Sequence, residues 1–228
     1  MASTYTDLGI ELMATGENAG TWGTKTNANL NLIEQLTGGF ATVSIAGGAG
    51  TTALDIDDGA LTGTAQQRII EFTGSITGNR IVTIPNDVET FYILKNSTSG
   101  AYTVQFKYAT GSGTSTTFST TDKGTKIVYA TANDGTNPDI VDVMANSSEI
   151  AVTNSNPIKF KDADDSASVG IKAPSTVSGT YTLTLPAGVG SADQALVTTD
   201  GSGTLGFTST STFGISTGKS IAMAIVFG

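Results

Sequence analysis

Short runs of β-branched and aromatic residues recur along most of this 228-residue chain, and clusters of Gly, Asn, Ser and Thr separate them. Such runs and breaks are typical of strands joined by turns. From about Thr42 onwards they predict two groups of strands. The first group is Arg68–Thr73, Arg80–Ile84, Phe91–Lys95, Tyr102–Tyr108, Thr125–Thr131 and Ile140–Met144. The second is Ile150–Thr153, Ile158–Lys161, Val169–Lys172, Tyr181–Leu185, Ala195–Thr199 and Leu205–Thr208. Strands repeated at this spacing favour an antiparallel sandwich or barrel.

A helical pattern precedes the strands. Leu30, Ile33 and Leu36 recur near helical spacing, Thr26 or Asn27 can cap the start, and the two glycines at 38 and 39 fit a left-handed C-cap. A helix of about three turns is not stable alone in water, so we expect its apolar stripe to dock on another surface.

The chain's one Trp, Trp22, lies in a Gly-punctuated segment just before this helix. It is either a local core residue or an anchor at a docking interface, where Trp is enriched. We take Trp22, Leu30, Ile33 and Leu36 as candidate docking residues.

The sequence thus predicts an all-β protein: an antiparallel β-sandwich module and a smaller β module, with a short N-terminal helix and an apolar C-terminal strand. The expected parts are a docking segment (1–40), the sandwich module (41–146), the small module (147–209) and a linker with the apolar strand (210–228). An exposed strand without charges would be a sticky edge, so we expect the last strand to pair between subunits. Its apolar positions are Ile221, Met223, Ile225 and Phe227.

Composition excludes several functions. The chain has no Cys and no His, which rules out Cys-His and Ser-His-Asp nucleophile systems, disulfides and His-ligated metals. A net charge of −9 argues against nucleic acid as a partner. The longest apolar run, Ile221–Phe227, is too short to insert into a bilayer, and the residues after Met1 do not resemble a signal peptide.

No motif predicts catalysis. The G-x-G-x-x-G pattern at 201–206 lacks a following helix and fits a hairpin turn better than a nucleotide site. The acidic clusters at 55–59 and 162–165 lack the Glu that closes a calcium loop, so solvated loops are favoured over irregular Ca²⁺ sites. A glycoside hydrolase needs two carboxylates, but no spacing selects a pair. The candidates are Glu71, Glu89, Asp134 and Asp139. We therefore predict no enzyme activity, no cofactor and no metal.

Several segments resemble known phage proteins. The stretch TGENAGTWG at 15–23, followed by Thr26-Asn27 and the predicted helix, resembles the opening of tail-fibre-like virion proteins of marine tailed phages, of the cyanophage and pelagiphage type. Other segments are similar to β modules of phage fibres, the second of which also occurs in bacterial surface proteins. They are 70–74, 83–85 and 134–136 for one module and 172–174, 181–186 and 200–205 for the other. The segment at 218–224 resembles the ends of marine-phage structural proteins.

The resemblance implies a virion appendage protein, usually a homotrimer, that attaches by its N-terminal segment and turns its distal β part to the host. We expect a short tail fibre located on the phage particle, with other virion proteins and a host surface glycan or receptor as partners. The chain is short for such a fibre, which keeps a capsid decoration, head-fibre or tail adaptor role open. A glycan depolymerase and a bacterial surface adhesin are further alternatives.

Overall fold

The structure is a computed structural model of the chain and describes residues 2–152, 154–164 and 166–213. These residues form two compact units, the first ending at Ile150 and the second beginning at Ala151. Most ordered elements in the described part are strands, which confirms the mostly-β prediction. The apolar strand predicted at Ile221, Met223, Ile225 and Phe227 lies outside the described residues.

The first unit starts with a small antiparallel hairpin, β1 (Thr4–Tyr5) and β2 (Glu11–Leu12), followed by helix α1 (Trp22–Gly38). The helix begins four residues before the predicted cap at Thr26. The predicted left-handed C-cap is wrong, because Gly38 is still helical and Gly39 has an extended backbone with φ −66°.

Two sheets follow, and the chain alternates between them. The strands of the five-stranded sheet are β3 (Phe40–Ser44), β5 (Ile69–Thr73), β7 (Thr90–Asn96), β10 (Thr125–Ala130) and β11 (Ile140–Asp142). Those of the four-stranded sheet are β4 (Gly50–Ala53), β6 (Arg80–Ile84), β8 (Val104–Tyr108) and β9 (Thr116–Phe118). The order of strands is β11-β10-β7-β5-β3 in the first sheet and β4-β6-β8-β9 in the second.

Strand direction differs from the prediction of an antiparallel module. β3, β5 and β7 run parallel in one sheet, and β4, β6 and β8 run parallel in the other. The chain thus makes three stacked coils, each with one strand in each sheet. Only β9, β10 and β11 add antiparallel pairs at the far side. Period-2 alternation of side chains is the same in both kinds of pair, so the sequence pattern could not distinguish them.

The turns between the two sheets also stack. Parallel bridges join Gly47 to Ile76 and Ser75 to Ser99, so the ladder continues from the strands through the turns. Gly100 has φ +101°, and a Cβ there would lie 2.2 Å from the Ile76 carbonyl oxygen. This close approach of stacked backbones requires glycine and explains why glycines punctuate this part of the sequence.

One core fills the space between the inner faces of the two sheets. Phe106 of the four-stranded sheet lies with its ring centroid 6.4 Å from that of Phe72 and 5.6 Å from that of Tyr92, both in the five-stranded sheet. All three side chains are fully buried. This shared core is what fixes the two sheets against each other, because apolar burial dominates the free energy of folding.

The described part of the second unit contains two antiparallel hairpins and a short 3-10 helix (Thr210–Phe213). The first pairs β12 (Ile158–Lys161) with β13 (Ser168–Ile171), and the second pairs β14 (Gln194–Thr198) with β15 (Leu205–Ser209). The strand predicted at 150–153 is wrong, since 150–152 are irregular. In the predicted strand at 181–185 only Thr184 pairs, through an isolated bridge to Thr204.

Candidate docking surfaces

Helix α1 is held to the first unit by one face. Leu32 and Leu36, four residues apart on that face, are buried. Asn29 lies on the same side, where its amide oxygen accepts the Glu11 backbone N–H and its amide nitrogen donates to the Glu11 carbonyl. The amide therefore continues the edge of β2 as a strand would, which fixes the hairpin to the helix.

An ion pair also stabilises the contact between the β1–β2 hairpin and helix α1. The Lys25 ammonium lies 3.0 Å from the Glu11 carboxylate, whose side chain is 3% exposed. The hydrogen bond from Lys25 lowers the pKa of Glu11, and the same bond raises the pKa of Lys25. Asn18 also donates to this carboxylate. Both groups are therefore charged at neutral pH, and the sequence pattern gave no signal for this pair.

A second face of the helix carries apolar side chains that are exposed. Trp22 is 65% exposed, Leu30 58% and Ile33 46%. With 3.6 residues per turn these three positions lie on one side of α1, next to the buried face. The structure thus brings together three of the four predicted docking residues. Leu36 differs, because it packs inside the unit and is not available to a partner.

Apolar side chains of the second unit are exposed or half-buried in the part of the chain that the structure describes. None of its described residues is buried, although its strands alternate apolar and polar positions. In the first hairpin, Ile158 pairs with Ile171 and Phe160 with Val169, which places four apolar side chains on one face. Each is at least half exposed. Tyr181, Leu183 and Leu185 project in the same alternating way from the segment before the second hairpin and are also exposed.

Carboxylates of the acidic cluster at 55–59 and of the turn between β14 and β15 accept hydrogen bonds from neighbouring residues. Asp55 accepts bonds from the Thr64 backbone N–H and hydroxyl, and Asp57 accepts one from Thr62. Asp200, in the turn between β14 and β15, accepts N–H bonds from Ser202 and Thr204. These carboxylates close turns, and the hairpin interpretation of the glycine-rich segment at 201–206 is confirmed. Among the described residues no group of three or more acidic side chains is arranged to hold a metal ion.

Two of the four carboxylates considered for glycoside hydrolysis, Glu71 and Asp139, have structural partners. Glu71 pairs with Lys95 at 2.7 Å and accepts a bond from Ser97, and these two bonds lower its pKa. Backbone and hydroxyl bonds from Thr114 lower the pKa of Asp139. A general acid needs a raised pKa, so neither residue has the property that this role requires.

A surface cleft of about 510 Å³ lies between the segments 114–117 and 139–146. Its carboxylate Asp142 accepts bonds from Thr116 and from Lys126 at 2.9 Å. Burial raises the pKa of Asp142, but the hydrogen bond from Lys126 and backbone N–H bonds outweigh it, so the pKa lies below its usual value. This cluster joins β9, β10 and β11 and is explained by that structural role.

Tyr102 and Tyr108, two aromatics next to loops that could in principle contact a sugar, have different environments. Tyr108 is buried, and its hydroxyl donates to the Val88 carbonyl and accepts the Ala132 N–H. Tyr102 is exposed on the turn after β7. The structure therefore does not bring the two rings together on one surface.

No helix in the described ranges has the length and hydropathy needed to cross a membrane. No family model, curated protein or solved structure matches the chain.

Proposed function

We propose that this chain is a non-enzymatic structural subunit of a phage particle that works as a homo-oligomer, in the form of a short trimeric tail fibre that attaches the particle to its host. One observation carries the proposal: the second unit has no buried side chain among its described residues. Apolar burial contributes about 25 cal/mol per Å² and must offset the conformational entropy lost on folding. We infer that other chains cover the apolar faces that the described residues of this unit expose.

Copies of the same chain are the partners that we propose for this unit. Hairpins with one apolar face, such as the one between Ile158 and Ile171, can meet around a common axis. Their apolar faces would then form a core, which the described part of the second unit does not have within one chain. The phage-fibre resemblance of 172–174, 181–186 and 200–205 supports this choice, since such appendages are usually homotrimers. Repeated weak contacts with host surface glycans would then gain strength by multivalency.

The native mass of the purified full-length chain tests this assembly. We expect light scattering to give about 69 kDa, three times the chain mass of 23.1 kDa. A stable 23.1 kDa monomer at micromolar concentration would contradict the trimer and favour the decoration, head-fibre or adaptor alternative. Antibody labelling of phage particles shows where the protein is located. Label on the tail supports a fibre, and label on the head supports decoration. Particles that bind no label would exclude a virion role.

The exposed stripe of α1 is proposed as the surface that docks on the particle. In particles assembled with the Trp22→Ala chain, we expect its content to fall at least about 10-fold, because a central interface Trp contributes about 2 kcal/mol or more. The matched control is Asn31→Ala, exposed on the opposite side of the helix. Quantitative mass spectrometry of purified particles measures both. Normal incorporation of Trp22→Ala would overturn the docking role, and whole-chain melting of the unassembled variant would make Trp22 a folding residue.

Depolymerase activity is the enzymatic alternative. Release of reducing ends from host polysaccharide, lost on replacing a single carboxylate, would establish it. The structural partners of Glu71 and Asp139 favour the non-enzymatic proposal.

A further inference from the structure

An unbroken row of apolar side chains crosses the outer face of the five-stranded sheet. Phe40 pairs with Ile69, Ile69 with Ile93, and Ile93 with Ile127. The row ends at Val143, whose N–H donates to the Ile127 carbonyl. We call these five residues the apolar row. Because paired residues project to the same side, the row lies on the face opposite the core and spans about 19 Å at a strand spacing of about 4.8 Å.

Two aromatic side chains widen the row at one side. Tyr129 and Phe91 are paired across β10 and β7, two positions along from Ile127 and Ile93, and each is at least 40% exposed. The Arg68 guanidinium lies 5.3 Å from the centroid of the Phe91 ring. Phe40, at the edge strand, is 56% exposed. The apolar face is therefore wider than a single row where it crosses β7 and β10.

The next row on the same face is polar, as is typical of a solvent-exposed surface. Thr42 pairs with Glu71, Glu71 with Lys95, and Lys95 with Thr125. The Glu71 and Lys95 charges form an ion pair across their two strands. Because the polar and apolar rows share strands and orientation, the apolar row cannot be explained by a general β propensity of this sheet.

We infer that the apolar row, with Phe91 and Tyr129, is a contact face that packs against a second copy of this chain. The inference rests on the homo-oligomer proposed above and names where the first unit takes part in it. Strands in parallel pairs, as in β3, β5 and β7, are usually covered on both faces. Among the residues of the first unit, the core lies on the inner face of this sheet. On the other face Phe40 and Val143 are exposed, and Ile69, Ile93 and Ile127 are half-buried.

Charge favours a second copy as the occupant. The chain carries a net charge of −9, so two copies repel each other on average. On the outer face of this sheet the Glu71 carboxylate is neutralised by Lys95, and Arg68 adds a positive charge beside Phe91. The face is thus one of the places where two copies can approach without repulsion. Side chains on such rows can interdigitate with a second sheet about 10 Å away.

Size indicates that this face acts together with other contacts. The apolar row is about 19 Å long, and together with Phe91 and Tyr129 it covers a few hundred Å², on the scale of the largest apolar patches of monomers. A stable interface buries about 800 Å² on each partner. The exposed apolar side chains of the second unit, present on every copy, supply further area in an assembly of identical chains.

Thiol labelling of the full-length chain tests this face, since the chain has no cysteine and an introduced thiol is the only one present. The probe is Tyr129→Cys, beside the apolar row, and the control is Thr125→Cys, in the polar row of the same strand and face. In the assembled protein we expect a maleimide to react at least 10-fold more slowly at position 129 than at position 125. Adding Ile127→Glu should restore fast labelling and lower the native mass, whereas Thr125→Glu, opposite Lys95, should do neither.

Three results would overturn the inference. Equal labelling at both positions in an oligomeric protein would show that this face is open, while the proposed oligomer would stand. Slow labelling that persists in a 23.1 kDa monomer would mean that the chain covers the face itself. A wild-type chain that is monomeric would remove both this contact and the proposed trimer, whereas particle labelling would still report on the virion role. Circular dichroism of each variant confirms that the β fold is retained.

Discussion

The Phe106→Ala variant should lose about 4 kcal/mol of the unfolding free energy of the first unit. Truncating a buried Phe costs about 3 to 5 kcal/mol, through lost transfer free energy and the cavity left behind. Phe106 is fully buried and meets Phe72 of the opposite sheet, and its T-shaped contact with Tyr92 contributes about 1 kcal/mol more than area alone. The variant removes a contact that joins the two sheets, so we expect a midpoint roughly 10 °C lower in calorimetry.

Tyr102→Ala is the matched control for this prediction. It also removes an aromatic ring, but Tyr102 is exposed on the turn that leads into β8. We expect its effect to stay within about 0.5 kcal/mol, as for most surface substitutions. Equal losses in the two variants would contradict a single core shared by both sheets. A Phe106→Ala chain as stable as the wild type would mean that the sheets are held together elsewhere.

The sequence pattern was most informative where a strand buries one face. β5, β6, β7, β8 and β10 follow β-branched or aromatic runs, and their predicted bounds agree to within two residues. β3 and β4 were missed, because Phe40–Ser44 and Gly50–Ala53 are short and small-residue rich, and their position is set by pairing with β5 and β6. The coils also differ in length. The strand register advances from 40 to 69 and then from 69 to 93, which is 29 and then 24 residues, so no repeat is visible in the sequence.

The spacing of apolar residues alone could not show which face of the helix is buried. Leucine or isoleucine occupies positions 30, 32, 33 and 36, which allows two adjacent apolar stripes on one helix. The chain buries the stripe of Leu32 and Leu36, because Lys25 and Asn29 on that side meet Glu11 of β2. Such long-range polar pairs have no sequence signature. The apolar row was likewise invisible, because it forms only when residues from five separate segments are brought into register.

Two buried tyrosines predict that the first unit loses stability at alkaline pH. The Tyr92 hydroxyl donates to the Ala65 carbonyl at 2.8 Å, and that of Tyr108 donates to the Val88 carbonyl at 2.7 Å. Burial raises the pKa of both groups above the usual value of about 10. A phenolate cannot donate these bonds and would place a charge in the core.

The sign of the effect follows from the direction of these shifts. A raised folded-state pKa favours the neutral tyrosine, so its contribution to stability is complete below the unfolded pKa of about 10 and is lost as the pH rises above it. Between its unfolded and folded pKa values, each tyrosine lowers the unfolding free energy by up to about 1.4 kcal/mol per pH unit. Urea unfolding at a series of pH values measures this slope.

Removing a single tyrosine hydroxyl distinguishes the contribution of that tyrosine to the pH dependence of stability from the contribution of the lysines. Tyr92→Phe should remove about half of the tyrosine slope above pH 10, and it should cost about 1 to 2 kcal/mol at neutral pH because the Ala65 carbonyl loses its partner. Tyr102→Phe, at an exposed ring, should leave both the slope and the neutral stability unchanged. If Tyr92→Phe keeps the wild-type slope, ionisation of Tyr92 is not linked to unfolding. A change in the absorbance of Tyr92 near pH 10 in the folded chain would lead to the same conclusion. A buried Tyr92 hydroxyl cannot ionise at that pH without losing its bond to the Ala65 carbonyl, which fixes β7 to the residues before β5.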